Sequence, residues 1–220
     1  VRWQRDDRHS QEIGVRYAEP WIFDVPINLS GNFFQRQQDT IYVRRVLSLN
    51  AEMMFSDVFS IGGTLQQENI IPSTTVATQA VSNSRTVTAG ISFHYDSRDD
   101  IVNPTAGVHY RTDYLIGSKK IYSSPFAGIP ENNTVQKLSI DVEVFVEPFE
   151  RQVIAFGMHG RQLTSDNIEL SDRYRFGGTN TLRGFRENQF LGSRVAWTNT
   201  EYRFLLARRT FVYGFFDSGY

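Results

Sequence analysis

Val135-Gln136-Lys137-Leu138-Ser139-Ile140-Asp141-Val142-Glu143-Val144-Phe145-Val146-Glu147 is the stretch on which the fold turns. Leu138, Ile140, Val142, Val144 and Val146 occupy alternate positions, with Ser139, Asp141, Glu143, Phe145 and Glu147 between them. A period of two marks a strand with one apolar and one polar face. The pattern returns at 84–95, 107–116, 152–161 and 194–206. In the last of these, Ala196, Thr198, Thr200, Tyr202 and Phe204 oppose Trp197, Asn199, Glu201 and Arg203. Weaker members at 10–17, 27–35, 40–53, 57–67 and 210–220 bring the series to ten strands. No stretch reads as an amphipathic helix of useful length.

The connectors set the architecture. Short, turn-like segments lie at 19–26, 55–56, 96–107, 147–150 and 207–209, and longer polar ones at 68–83, 117–134 and 162–193, with 36–39 a short exception. The two kinds alternate from strand to strand. Long loops at one rim and tight turns at the other are the pattern of an up-and-down β-barrel. Trp21, Phe23, Tyr95, Tyr114, Phe149 and Tyr202 are expected near strand ends, where interfacial girdles sit.

Composition separates a membrane barrel from its rivals. With 40% hydrophobic and 21% charged residues the 220-residue chain is ordered and core-forming. A mean hydropathy of −0.37 without any long apolar run excludes a helical membrane protein. A soluble antiparallel barrel would also alternate. However, the strands approach the roughly 9–11 residues that cross a bilayer when tilted. Their polar face also carries Arg111, Asp113, Asp141, Glu143, Glu147, Arg161, Glu201 and Arg203. A small soluble barrel would bury these at a cost of several kcal/mol each, roughly, whereas a polar lumen accepts them. Net charge −1 gives no reason to expect nucleic acid, and zero cysteines remove disulfides and thiolate sites.

The reading is therefore all-β: one antiparallel up-and-down transmembrane β-barrel domain over 1–220. The strands at 10–17 and 210–220 have no hairpin return beyond them, and hydrocarbon does not tolerate an open edge. Unless those edges pair with each other, the chain is a piece of a larger barrel. Val1, with no initiator Met and no leader, fits a chain whose true start has been removed.

The longest loop holds Arg173-Tyr174-Arg175-Phe176-Gly177-Gly178-Thr179-Asn180-Thr181-Leu182-Arg183-Gly184-Phe185. Gly177 and Gly178 permit a sharp fold-back. Leu182 and Phe185 flank a charge with apolar groups, which suggests docking into a cavity, and Gly184 allows close backbone approach beside the guanidinium. A docked Arg183 needs carboxylates, since a buried unpaired charge costs about 3–5 kcal/mol. By parity Glu201 points inward on the next strand, and Asp217 lies on the strand after it. A guanidinium can hold two carboxylates through its fork of donors, and lysine cannot.

Gly177-Gly178 through Thr181-Leu182-Arg183-Gly184-Phe185, then Trp197-Thr198-Asn199-Thr200-Glu201-Tyr202-Arg203, then Phe215-Phe216-Asp217, resembles the barrel of the BamA and TamA outer-membrane assembly factors. Their wider bacterial surface antigen superfamily includes two-partner-secretion transporters and organellar import barrels. Tyr95-Asp96-Ser97-Arg98-Asp99 with Asn103-Pro104 and Gly107 is similar to the periplasmic turn of that family. The resemblance implies a barrel of about sixteen strands, in which residues 10–17 form about the fourth strand and 210–220 about the thirteenth, with periplasmic POTRA domains and terminal strands outside this chain. It implies residence in the bacterial outer membrane and assembly of other β-barrel proteins. The partners it implies are outer-membrane lipids, unfolded β-barrel clients and accessory lipoproteins or POTRA-binding proteins. It also implies an inward-folded loop in which Arg183 is locked to Glu201 and Asp217. Nothing in the sequence points to a cofactor, a metal or an enzymatic role.

Other readings compete. The two-partner-secretion pore shares the loop motif. A simple porin has no evident use for a glycine-rich lock, and a soluble ligand-binding barrel would purify without detergent. Asp96, Arg98 and Asp99 read as a charged turn. His94, His109 and His159 fall on the lumen face with no closely spaced ligand pair, so they read as ordinary polar residues. No serine sits in a strained nucleophile turn. Ser73 to Thr88 reads as a mobile external loop.

Overall fold

The computed structural model describes residues 1–5, 10–22, 25–38, 41–73, 81–125, 128, 130–207 and 210–220. Strands β1 (Arg2–Arg5), β2 (Gln11–Glu19), β3 (Ile27–Gln38), β4 (Tyr42–Met54), β5 (Phe59–Pro72), β6 (Asn83–Asp96) and β7 (Gly107–Ser123) occupy the first half. The second half contains β8 (Asn132–Phe149), β9 (Gln152–Ser165), β10 (Tyr174–Phe176), β11 (Phe190–Gly192), β12 (Arg194–Ala207) and β13 (Thr210–Gly219). Eleven of them form one sheet in the order β1-β2-β3-β4-β5-β6-β7-β8-β9-β12-β13, every neighbouring pair antiparallel. β10 and β11 pair as a small hairpin inside the longest loop. The sheet order is linear among the described residues, with no pairing between β1 and β13.

Alternation in the sequence becomes an inverted distribution of polarity. Leu49 and Leu65 are 58% and 60% exposed on the outer face, whereas Glu68 on the inner face of β5 is 4% exposed. Ser84, Thr86, Thr88 and Lys119 are likewise buried on the inner side. A water-soluble sheet would place these the other way round; an apolar exterior around a polar interior suits hydrocarbon outside. The inner charges neutralise one another. Asp141 takes Arg161 at 2.7 Å and His159 at 2.7 Å, and Glu68 takes Arg44 and Lys137, each at 2.8 Å.

The Lys137–Glu68 contact joins β8 to β5 over the two strands between them, so the wall is strongly concave there. Glycines make the bend. A Cβ at Gly90 would lie 2.8 Å from the Leu115 Cα, and one at Gly117 2.6 Å from the Thr88 Cα. Inward-facing glycines at such a crossing are the usual means of curving a sheet.

All ten expected strands are present, and most are longer than alternation suggested. The polar segments 68–72, 117–123, 132–134 and 162–165 continue their strands, so the expected loops 68–83, 117–134 and 162–193 begin later or end sooner than the sequence suggests. Residues 83–88, expected in a mobile loop, belong to β6, and Ser82 is fully buried, while 74–80 lie outside the described residues. Tyr114 and Tyr202 stand in mid-strand rather than at strand ends, because β7 and β12 run on beyond them. The short strand β1 was not expected, since Arg2-Trp3-Gln4-Arg5 carries no alternation. Phe23, Asp39 and Arg208-Arg209 lie outside the described residues.

Candidate functional site

Loop 166–193 leaves β9, forms the β10–β11 hairpin and enters β12. Gly177 and Gly178 have φ of 110° and 97°, a region that L side chains rarely adopt, and there the chain turns back on itself. The Gly177 amide donates to Thr181 Oγ1 at 2.7 Å, and the Gly178 amide to the Leu182 carbonyl at 3.0 Å. This tight fold brings Leu182 and Arg183 against the inner wall. Leu182 is buried with Phe176, Val195 and Trp197. It rests on Gly219, where a Cβ would come within 2.6 Å of Leu182 Cδ1.

Arg183 reaches both strands beyond the loop. Its Nε and Nη2 donate to the two Asp217 oxygens at 2.8 and 2.7 Å, and its backbone amide donates to the same carboxylate at 2.9 Å. Nη1 donates to Glu201 Oε1. The guanidinium lies 4.0 Å over the Phe215 ring. Asp217 is 3% exposed at its side chain, so its charge is matched almost wholly by Arg183. Glu201 is shared, because Arg203 Nε donates to its second oxygen at 2.7 Å. The Thr181 carbonyl accepts from Asn199 Nδ2 at 2.7 Å. Arg183 is held above its ordinary value, chiefly by the Asp217 bonds and against burial, so it stays charged at any working pH.

Other motif residues depart from their expected reasons. A Cβ at Gly184 would meet nothing within 4 Å; the position needs glycine for its φ of 90°, not for close approach. Phe185 is 50% exposed and edge-on to Phe190 at 5.0 Å, so of the two flanking apolar groups only Leu182 is buried.

A second attachment of the same loop escaped the sequence reading. Lys119, on the inner face of β7 and 1% exposed, contacts Glu169 at 3.2 Å and Asp172 at 2.7 Å. Glu169 also accepts from the amide and hydroxyl of Ser82. These partners are separated by about fifty residues or more in sequence, and only the register brings them together. The turn at 97–106 is held by its own side chains, with Asp96 taking Arg98 and Asp99 taking Thr105 and Ala106.

A wall apolar outside and charged inside, with a glycine-hinged loop tied into its concave face, is the architecture of a membrane β-barrel wall with an inward-folded loop. The sequence matches the Omp85 superfamily domain over residues 1–219, and the chain belongs to that superfamily. Its barrels are outer-membrane proteins of assembly and transport rather than enzymes, and the BamA-like ones are bacterial. Among solved structures the chain is similar to the crystal structure of BamA from Haemophilus ducreyi lacking POTRA domains 1–3. The TM-score is 0.60 at 14% identity, over 89% of this chain and 45% of that one. The likeness is one of fold, and the chain spans less than half the length of that structure. No curated protein matches it.

Proposed function

We propose that the protein folds and inserts other β-barrel proteins in the outer membrane, in the manner of BamA. In this reading residues 1–220 form one partial barrel domain of a longer chain, and loop 166–193 is locked within the lumen by Arg183. The observation that carries it is the double grip of Arg183 on Asp217 and Glu201. A simple porin has no evident use for so specific a tie, whereas a two-partner-secretion pore shares the loop motif. Insertion requires a template that satisfies the backbone groups of an incoming strand, and a poorly paired barrel seam offers one by β-augmentation. The locked loop would keep the wall in shape while such a seam opens. Unfolded β-barrel polypeptides are then the clients, with accessory lipoproteins or POTRA-binding proteins as helpers.

The test is Arg183→Ala in the full-length protein, reconstituted in liposomes with an unfolded barrel client. Client insertion should fall, and the loop should become sensitive to protease. Insertion and protection at wild-type levels would refute the lock. Export of a single dedicated polypeptide, with no insertion of clients, would instead assign the chain to the two-partner-secretion class.

A further inference from the structure

We propose that the inner wall at the tight-turn rim carries a site for a divalent transition-metal ion, held by His94, Asp96 and His109. The register makes the cluster. Asp96 on β6 stands directly opposite His109 on β7, and His94, two residues earlier, shares the same face. The two imidazoles meet edge-on at 5.1 Å between centroids. One potential ligand atom from each of the three residues lies within 4.8 Å of the other two. Ligands about 2.0–2.2 Å from a tetrahedral zinc stand about 3.3 Å apart, so modest side-chain rotations close the site.

The surroundings favour this use of the histidines. Glu52 on β4 lies 3.3 Å from His94 Nδ1, and Glu143 on β8 lies 3.5 Å from His109 Nδ1. At His94 this contact is a hydrogen bond, which fixes the tautomer and leaves Nε2 free to ligate, the arrangement that orients metal-bound histidines; at His109 the buried Nδ1 has no hydrogen-bond partner among the described residues. Arg98 engages both Asp96 oxygens, and its Nη1 stands 3.6 Å from Glu143. Asp96 Oδ1 also accepts from the Arg98 amide at 3.2 Å, so Oδ2, which takes a single bond, is the oxygen that keeps a lone pair for the metal. Glu143 beside Arg98 offsets part of its charge, and Glu52 stands beside His94. A cavity of about 340 Å³, lined in part by Glu52, Ser60, His94, Asp96 and Arg98, supplies an entry path. Two imidazoles with one carboxylate suit zinc, cobalt or nickel better than calcium or magnesium, which prefer all-oxygen sites. An ion there would join β6 to β7 and brace the turn at 97–106.

The full-length protein, purified in detergent and stripped with chelator, is titrated with Co²⁺. One equivalent should produce visible d–d absorption, which Zn²⁺ displaces. His94→Ala and His109→Ala should each abolish it, while His159→Ala retains it. Glu52→Gln and Glu143→Gln should weaken binding about 10–100-fold. Should an alanine variant fail to fold, His94→Gln and His109→Gln are read in the same way. No absorption in the wild type, or equal affinity in the His94 and His109 variants, would overturn the site. Neither result bears on client insertion.

Discussion

Arg183 binds two acids in different directions, and that geometry separates arginine from lysine. Asp217 receives three of its donors and Glu201 a fourth. The planar fork meets both at once, whereas an ammonium approaches one and abandons the other. Arg183→Lys should therefore loosen the loop almost as much as Arg183→Ala. The loss of docking stability expected is about 1.5–3 kcal/mol, the range for hydrogen bonds to charged groups. Protease sensitivity of the 166–193 loop measures it, and a lysine variant as resistant as wild type would show that charge alone suffices. Gly219 makes a second demand. Leu182 already occupies the space where a Cβ would stand, so Gly219→Val should expel it at a cost of about 1–3 kcal/mol for overpacking. Tryptophan fluorescence reports this through Trp197, which packs in the same cluster. Parity turns Glu201 inward and places Asp217 on the strand after it, but their pairing with Arg183 comes from the family resemblance rather than from the pattern. The role of Gly219 was hidden, since a glycine says nothing of which distant side chain will lie on it.

Alternation located every long strand, and its failures have one cause. It detects residues whose two faces meet different media, so it fades where a strand leaves hydrocarbon and both faces turn polar. Gln162, Thr164 and Ser165 still pair in the sheet, though no pattern marks them. Lys119 lies in such an extension, which is why its burial against Glu169 and Asp172 was not foreseen. Lys119→Met leaves the buried Glu169 and the half-buried Asp172 without their ion-pair partner and should destabilise this end of the loop by up to about 3–5 kcal/mol. The triple variant Lys119→Met, Glu169→Gln, Asp172→Asn should recover most of that, and hydrogen exchange over 166–176 distinguishes the two. Turn 97–106 titrates differently. Burial, the largest influence, pushes the Asp99 carboxyl up, but the Thr105 hydroxyl and nearby amides outweigh it and hold it at about 2. Its folded value lies below its ordinary 3.8, so its contribution is complete above that pH and disappears as pH falls toward 2. Exchange at Thr105 and Ala106 should quicken across this window relative to Asp99→Asn, which should show no such step.

Across the whole molecule, the inward loop is tied to the wall at two places on different strands. Lys119 of β7 takes Glu169 and Asp172 near the loop's start, while Asp217 of β13 and Glu201 of β12 take Arg183 farther on. The hydrophobic group around Leu182 and Trp197 supports the second tie, and Tyr42, Ile70 and Val81 with Leu170 the first. Two ties on one chain act as a bivalent ligand: while one holds, the other is re-formed at high effective concentration. Releasing either alone should therefore expose only its own neighbourhood. Trypsin offers a direct reading, because Arg173 and Arg175 lie near the first tie and Arg183 and Arg186 near the second. In Glu201→Gln/Asp217→Asn the cuts should appear at Arg183 and Arg186, and in Lys119→Met at Arg173 and Arg175. With all three substitutions combined, cleavage should exceed the product of the two separate effects, because nothing remains to return the loop to the wall. Rates that simply multiply would mean that the two ends open independently, and the loop would then be two docked segments rather than one clamped unit.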